Sequence, residues 1–283
     1  MSATVDQRCA FRRLHESGCF VLPNPWDVGT ARYLQHLGFK ALATTSAGVA
    51  FTMALPDTEW AVPRDIMLAH IRTIVEASDV PVNADFEAGY AHEPEHVAAN
   101  VRLCVATGIA GLSIEDATGD KQRPLYDLDL AVARIRASRA AIDEAGCSDV
   151  VLTARAECFL VGRADLDEVI RRLVAYVEAG ADCLYAPGLR TREHIATVVR
   201  AVAPKPVNVL MAAATGLTVG DLADLGVRRI SVGSALARSA WGGFIRAARE
   251  IAEAGRFDTL ADAVPFAELN GFFRDDVRRR RRS

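Results

Sequence analysis

Asp85, Glu87, Glu115 and Asp116 are the residues whose types and spacing most directly suggest chemistry, since they close the short apolar runs VNADFE and GLSIED. A fold that lays those runs side by side crowds four carboxylates into a small volume. Like charges held so close repel and drive pKa values upward, and a divalent cation relieves the repulsion. Hard carboxylate oxygens with no convergent Cys or His favour Mg²⁺ or Mn²⁺ over Zn²⁺. Arg155, at the end of the next run VLTAR, offers a guanidinium fork that matches a carboxylate with two hydrogen bonds. A cation chelated by a 2-oxo acid, with an arginine on the acid's carboxylate, stabilises an enolate as it forms. The competing assignments are helix caps for single acids and an ion pair of Arg155 with Glu157 or Asp116.

A second pattern argues against itself. His92-Glu93-Pro94-Glu95-His96 matches HExxH, which binds zinc through two histidines one turn apart on a helix. Pro94 is comfortable only in a first turn, so His92 and Glu93 should precede the helix instead of lying on it.

The elements that must position these groups follow from periodicity. Eight β-branched or apolar runs read as strands: 19–22, 41–45, 81–85, 111–115, 150–155, 183–186, 206–210 and 229–232. Amphipathic stretches lie between them. Pro63 and Pro94 open two, and glycines at 108, 146, 180 and 226 close others as C-caps. Alternating strands and helices imply parallel pairing. Neither GxGxxG nor GxxxxGK[ST] occurs, and no Pro/Ser/Gly linker divides the chain, so a closed (β/α)8 barrel over residues 1–255 fits better than a doubly wound sheet. Residues 238–255 read as its eighth helix, which Trp241 and Gly242-Gly243 should kink or displace toward a neighbouring subunit, and 256–283 as a C-terminal helix and basic tail.

In such a barrel chemistry is built at the C-terminal strand ends. Those ends carry Asn24 and Asp27, then Thr44 to Ser46, then Asn83, Asp85 and Glu87. Glu115, Asp116, Arg155, Glu157, Tyr185, Asn208, Ser231 and Ser234 follow, whereas the opposite ends carry Pro, Gly, Ala and Val.

Composition narrows the partners. With 33 Lys+Arg against 36 Asp+Glu, the net charge of −3 gives no field that would draw nucleic acid or an anionic membrane. The exception, Arg278 to Arg282, reads as a solvated, frayed tail. No apolar run is long enough to span a bilayer. Six scattered cysteines without a CxxC pair, behind an N-terminus with no apolar leader, point to a reduced, cytoplasmic setting.

The ordered segments PNPWDVGTARYLQHLGFKALATTSAGVAFTMALPD, VNADFEAGY, GLSIEDATGD and LTARAE together resemble the isocitrate lyase and phosphoenolpyruvate mutase superfamily over about residues 10–250. That resemblance implies a (β/α)8 barrel with a swapped eighth helix, a homo-oligomer that is a dimer or dimer of dimers, and a Mg²⁺ site for 2-oxo acids. Carried over by position, it implies that Thr45, Ser46 and Ala47 hold the substrate and that Asp57 stands beside the metal site. Asp85 would be a direct or water-mediated metal ligand, Glu115 a metal-shell carboxylate, Arg155 the substrate arginine and Asn208 a strand-seven asparagine. Glu87 adds a carboxylate near the metal, and Trp26, Phe86 and Tyr185 would tune specificity.

The departures are informative too. The loop after the fourth strand reads ATGDKQRPLYD, without the cysteine that in isocitrate-cleaving members of the family protonates the released enolate-like fragment, or the Asn and Ser of the mutases, and Asn83 replaces an acid. Decarboxylation of an oxaloacetate-like acid demands least of the residues that remain. Carbon–phosphorus chemistry on phosphonopyruvate, and a catalytically weak oxalate-binding protein, are the alternatives.

Overall fold

The computed structural model describes residues 3–281, and its contacts divide the chain into two compact units, Met1–Ala235 and Leu236–Ser283.

The first unit is a barrel of eight parallel strands: β1 (Phe20–Leu22), β2 (Leu42–Ala43), β3 (Val82–Asp85), β4 (Gly111–Glu115), β5 (Val151–Arg155), β6 (Cys183–Tyr185), β7 (Val207–Leu210) and β8 (Arg229–Ser231). From β2 to β8 each pairs with its sequence neighbour, and β8 pairs with β1. The remaining seam, between β1 and β2, is bridged by the Ala43 N–H donating to the Pro23 carbonyl at 3.0 Å. Every strand expected from the sequence is present: β4 has its expected bounds, β2 is three residues shorter, and each of the others is one residue shorter. The helices are α1 (Ala3–Glu16), α2 (Val28–His36), α3 (Ser46–Thr52), α4 (Arg64–Glu76), α5 (Pro94–Val105), α6 (Leu128–Glu144), α7 (Leu166–Glu178), α8 (Arg192–Val202) and α9 (Val219–Asp224). Apolar faces of α4 to α8, through Met67, Ile71, Val101, Ile135, Leu173 and Val198, bury against the outward faces of the strands, through Ala84, Leu112, Leu152 and Leu184.

Local chemistry fixes where these helices begin. Asp27 and Thr30 form a reciprocal cap on α2, Thr218 and Asp221 one on α9, and the Thr45 hydroxyl accepts the Gly48 N–H at the head of α3. Helix α5 starts at Pro94, so His92 lies outside it, with its Nδ1 2.6 Å from the Tyr126 hydroxyl. The two histidines of the HExxH pattern are not on one helix.

Helix α1 has no counterpart in the strand–helix pattern. It buries Phe11 against Ala41, Ala110, Val151 and Cys183, at the starts of strands, and so closes the N-terminal end of the barrel. Gly111 makes room for it: a Cβ there would stand 2.7 Å from the Phe11 ring, 2.8 Å from Asn83 Oδ1 and 2.9 Å from the Val151 carbonyl. Backbone and a packed ring cannot all yield, so Gly111→Ala is expected to cost about 2–3 kcal/mol, read as a lower urea midpoint at unchanged slope.

In the second unit, α10 (Ala235–Ala254) runs as a single helix through Gly242-Gly243, followed by a 3-10 turn (Asp258–Asp262) and α11 (Phe266–Arg280). Arg278, Arg279 and Arg280 form the last turn of α11 and Arg281 caps it, while Arg282 lies outside the described residues. The expected frayed tail is therefore solvated but helical as far as Arg280. Arg280 pairs with Asp276 at 3.0 Å, and cations suit the negative end of a helix. Among the described residues no helix is long and apolar enough to cross a membrane.

Candidate active site

The register of β3, β4 and β5 brings the expected residues together. Asp85 pairs with Ser113 and Glu115 with Arg155, so their side chains meet at the C-terminal mouth. Arg155 is the hub. Its Nη1 lies 2.6 Å from Glu115 Oε1 and 3.3 Å from Asp85 Oδ1, and its Nε donates to Glu157 Oε1 at 2.5 Å. The Tyr185 ring centroid lies 5.0 Å from the guanidinium carbon, a cation–π contact.

Three carboxylates on one guanidinium leave a surplus of negative charge. Burial pushes Glu115 and Glu157 above the usual carboxylate range, with Arg155 opposing and the neighbouring acids adding to the rise. Asp85 is braced from the other side: its Oδ2 accepts both the N–H and the hydroxyl of Ser46 at 3.0 Å, and its own N–H donates to Thr44 Oγ1 at 2.9 Å.

Asp116 does not belong to this group. It follows Glu115 and so faces the opposite side of the strand, where it accepts from Arg172 Nη1 at 3.0 Å, from the Tyr176 hydroxyl at 2.6 Å and from the Glu157 N–H at 2.8 Å. It ties the β4 end to α7, and the ion pair of Arg155 with Asp116 weighed from the sequence does not form.

Glu87 is also diverted. At φ 47° its backbone turns the carboxylate onto the Trp60 N–H at 2.9 Å and the Tyr90 hydroxyl at 2.7 Å. Burial raises its pKa to about 7 despite those two hydrogen bonds. Glu59, beside it, is raised to about 7 by burial and by the charge of Glu87, and its Oε1 is buried without a partner. The loop after β4, closed by the Ala117–Leu125 bridge, passes so near that a Cβ on Gly119 would lie 2.6 Å from Glu59 Cβ.

These two acids set a pH dependence. Their folded pKa values exceed that of a free glutamate, so the folded state holds their protons longer; the resulting stability is full below about pH 4.3 and is lost as pH rises through about 7. Glu59→Gln, which cannot ionise, is expected to match the wild type at pH 5 and exceed it at pH 8 by on the order of 1 kcal/mol, measured by urea unfolding at both values. A constant difference between the two would reject this origin.

Among the described residues no three His, Cys, Asp or Glu side chains gather as a metal-ligand set, so Asp85, Glu115 and Glu87 do not form a three-acid cage. A Mg²⁺ ion needs less than that, because it keeps several waters and is anchored by one or two carboxylates. The donor set and the negative surplus fit such an ion, which Asp85 and Glu115 would hold if it binds here.

The other expected residues divide. Arg155, Tyr185 and Asn208 line one cleft with Asp85, about 370 Å³ counting its open mouth. Thr45 is occupied as the cap of α3, Ser46 as the brace of Asp85, Ala47 is buried in α3, and the backbone N–H of Trp26 donates to Thr30 Oγ1 at 3.3 Å. None of these four lines the cleft. Asp57 sits on the exposed loop after α3, its pKa raised by burial of the carboxyl and by the charge of Asp85.

Asn24, Thr44 and Ser231 line the cleft from strand ends already noted as polar, whereas Ser113, Arg229 and Gly233 were missed. A signal for Arg229 existed: it lies two residues before Ser231, hence on the same inward face of β8.

The phosphoenolpyruvate phosphomutase family model matches residues 11–252. A solved structure from Burkholderia cenocepacia J2315, described as a lyase/mutase, is 49% identical at a TM-score of 0.91, covering 96% of each chain. Oxaloacetate decarboxylase of Paraburkholderia xenovorans is 28% identical over 242 residues, 83% of this chain and 77% of that protein. Phosphonopyruvate hydrolase, solved with oxalate and Mg²⁺, is 25% identical at a TM-score of 0.82, covering 96% of this chain and 97% of the other. The barrel, the strand-end acids and the match along most of its length establish that this chain belongs to the phosphoenolpyruvate phosphomutase family.

Proposed function

We propose that the protein is a Mg²⁺-dependent carbon–carbon lyase that decarboxylates a small 2-oxo dicarboxylic acid of the oxaloacetate type through an enolate. The observation that carries this reading is the meeting of Asp85 and Glu115 on Arg155, with Asp85 and Arg155 lining one small cleft. Similarity to an oxaloacetate decarboxylase, and to a hydrolase solved with oxalate and Mg²⁺, supports it.

Asp85, held by Ser46, would anchor the metal, and a bound Mg²⁺ supplies Lewis acidity for the 2-oxo oxygen. Arg155 would meet the substrate carboxylate, with Glu115 and Glu157 fixing the guanidinium in place. Tyr185 and Asn208 would shape the wall of the cleft, and Asp57, whose raised pKa keeps a proton closer to neutral pH, would assist proton transfer. The loop after β4 holds no cysteine, which weighs against isocitrate-type cleavage. We also propose a cytoplasmic homo-oligomer in which exposed Trp241, Phe244 and Ile245 of α10 pack against another copy.

The test is pyruvate formation from oxaloacetate: the purified protein with Mg²⁺ should exceed free Mg²⁺ by orders of magnitude, and parity would end the proposal. Phosphorus NMR on phosphonopyruvate separates carbon–phosphorus chemistry, the alternative ranked lower because the loop after β4 lacks the Asn and Ser of the mutases. Tight oxalate binding without turnover on any 2-oxo acid would point to a binding protein.

A further inference from the structure

The interior of a (β/α)8 barrel is usually packed with branched apolar side chains. Here Asn83, Ser113, Asn208, Arg229 and Ser231 line the cleft within it. Arg229 is the unusual member, a guanidinium only 2% exposed. Its Nε donates to Asn208 Oδ1 at 2.9 Å, its Nη2 to Thr153 Oγ1 at 3.0 Å, and its Nη1 faces His15 Nε2 at 3.4 Å.

All three partners are uncharged. His15 is neutral because burial and Arg229 itself hold its pKa down to about 3. Its Nδ1 lies 2.8 Å from the Phe11 carbonyl and so carries the proton, which leaves the Nε2 lone pair toward Arg229. Among the described residues no carboxylate lies within ion-pair distance of Arg229. A guanidinium has five N–H donors, and three contacts leave two of them open. Buried cations are ordinarily paired.

Arg229 differs from Arg155 in having no acid to balance its charge. Arg155 is surrounded by Asp85, Glu115 and Glu157, whereas Arg229 shares the same cleft with no acid beside it. We propose that Arg229 forms a small-anion site at the floor of the barrel cleft, taking a carboxylate or a halide-sized ion through its two open N–H groups. Asn208 and Thr153 hold the guanidinium plane, and α1 supplies His15 as a neutral acceptor beneath it. The site is separate from the metal position proposed at Asp85, and it is read by binding, so it stands or falls independently of any turnover.

Bromide is the probe. Wild-type crystals soaked in sodium bromide should show an anomalous peak about 3.3 Å from the Arg229 guanidinium nitrogens; an ordered water there at saturating bromide, with no peak, overturns the proposal. In solution, bromide or acetate added to protein in halide-free buffer should raise Tm by about 2–4 °C. The rise should vanish in Arg229→Gln and persist in part in Arg229→Lys. An equal rise in Arg229→Gln also overturns it, and if that variant does not fold the wild-type crystal decides. Loss of the bromide peak when oxaloacetate or oxalate is added identifies the occupant as a ligand carboxylate, and persistence identifies a free anion; either supports the site.

Discussion

Asp85→Ala is expected to lower the rate of Mg²⁺-supported oxaloacetate decarboxylation about 10³-fold, which corresponds to about 4 kcal/mol of transition-state stabilisation. Asp85 contributes the carboxylate braced by the Ser46 N–H and hydroxyl, whereas Glu115 is held by Arg155 and Glu87 by Trp60 and Tyr90. No neighbour is therefore free to take over. The loss should appear in kcat and in Mg²⁺ affinity together, because the anchor itself is removed. Ser46→Ala, which removes only the brace, should weaken Mg²⁺ binding by a smaller factor and leave kcat at saturating Mg²⁺ closer to the wild type. Measuring rate against Mg²⁺ for both variants separates these effects. An Asp85→Ala protein with undiminished activity would remove the residue from the reaction.

Much of this arrangement was legible in the sequence because β-strand parity is rigid. Asp85, Glu115 and Arg155 each end an apolar run, and parallel pairing in register is enough to bring three such ends together. The same rule excludes Asp116, which a count of adjacent acids includes but alternation turns outward to Arg172 and Tyr176. Glu87 escaped the rule because it lies past the end of β3, where a positive φ re-aims its side chain. Arg229 was overlooked because a basic residue opening a strand looks like an edge, and only the closure of β8 on β1 makes that position interior. Thr45 and Ser46 illustrate a different limit: their hydroxyls are as well suited to a substrate as to a backbone N–H or a carboxylate, and the path of α3 decides between them. Helix α1 was missed because nothing in strand–helix alternation calls for a plug at the base of the barrel.

Arg155→Met should be the most damaging single change to both fold and activity. It removes the only cation in contact with Asp85, Glu115 and Glu157 among the described ion pairs, and breaking a buried pair in this way costs about 3–5 kcal/mol. The loss should depend on pH, with a definite sign. Burial already raises Glu115 and Glu157, and without the opposing guanidinium both rise further, so the folded variant binds protons that the unfolded chain has released. Stability from that source is complete below about pH 4.3 and is lost as pH climbs through the raised values. Urea midpoints should therefore show a deficit that is smaller at pH 5 than at pH 8, and an identical deficit at both would mean that the carboxylates are not what Arg155 stabilises. Arg155→Lys tests geometry apart from charge: an ammonium can answer one acid well but cannot reproduce the fork that reaches Glu115 and Glu157 from different nitrogens. It should restore most of the stability at pH 8 while kcat/KM for oxaloacetate stays down by about 10²-fold, because orientation of the substrate carboxylate depends on the fork more than on the charge.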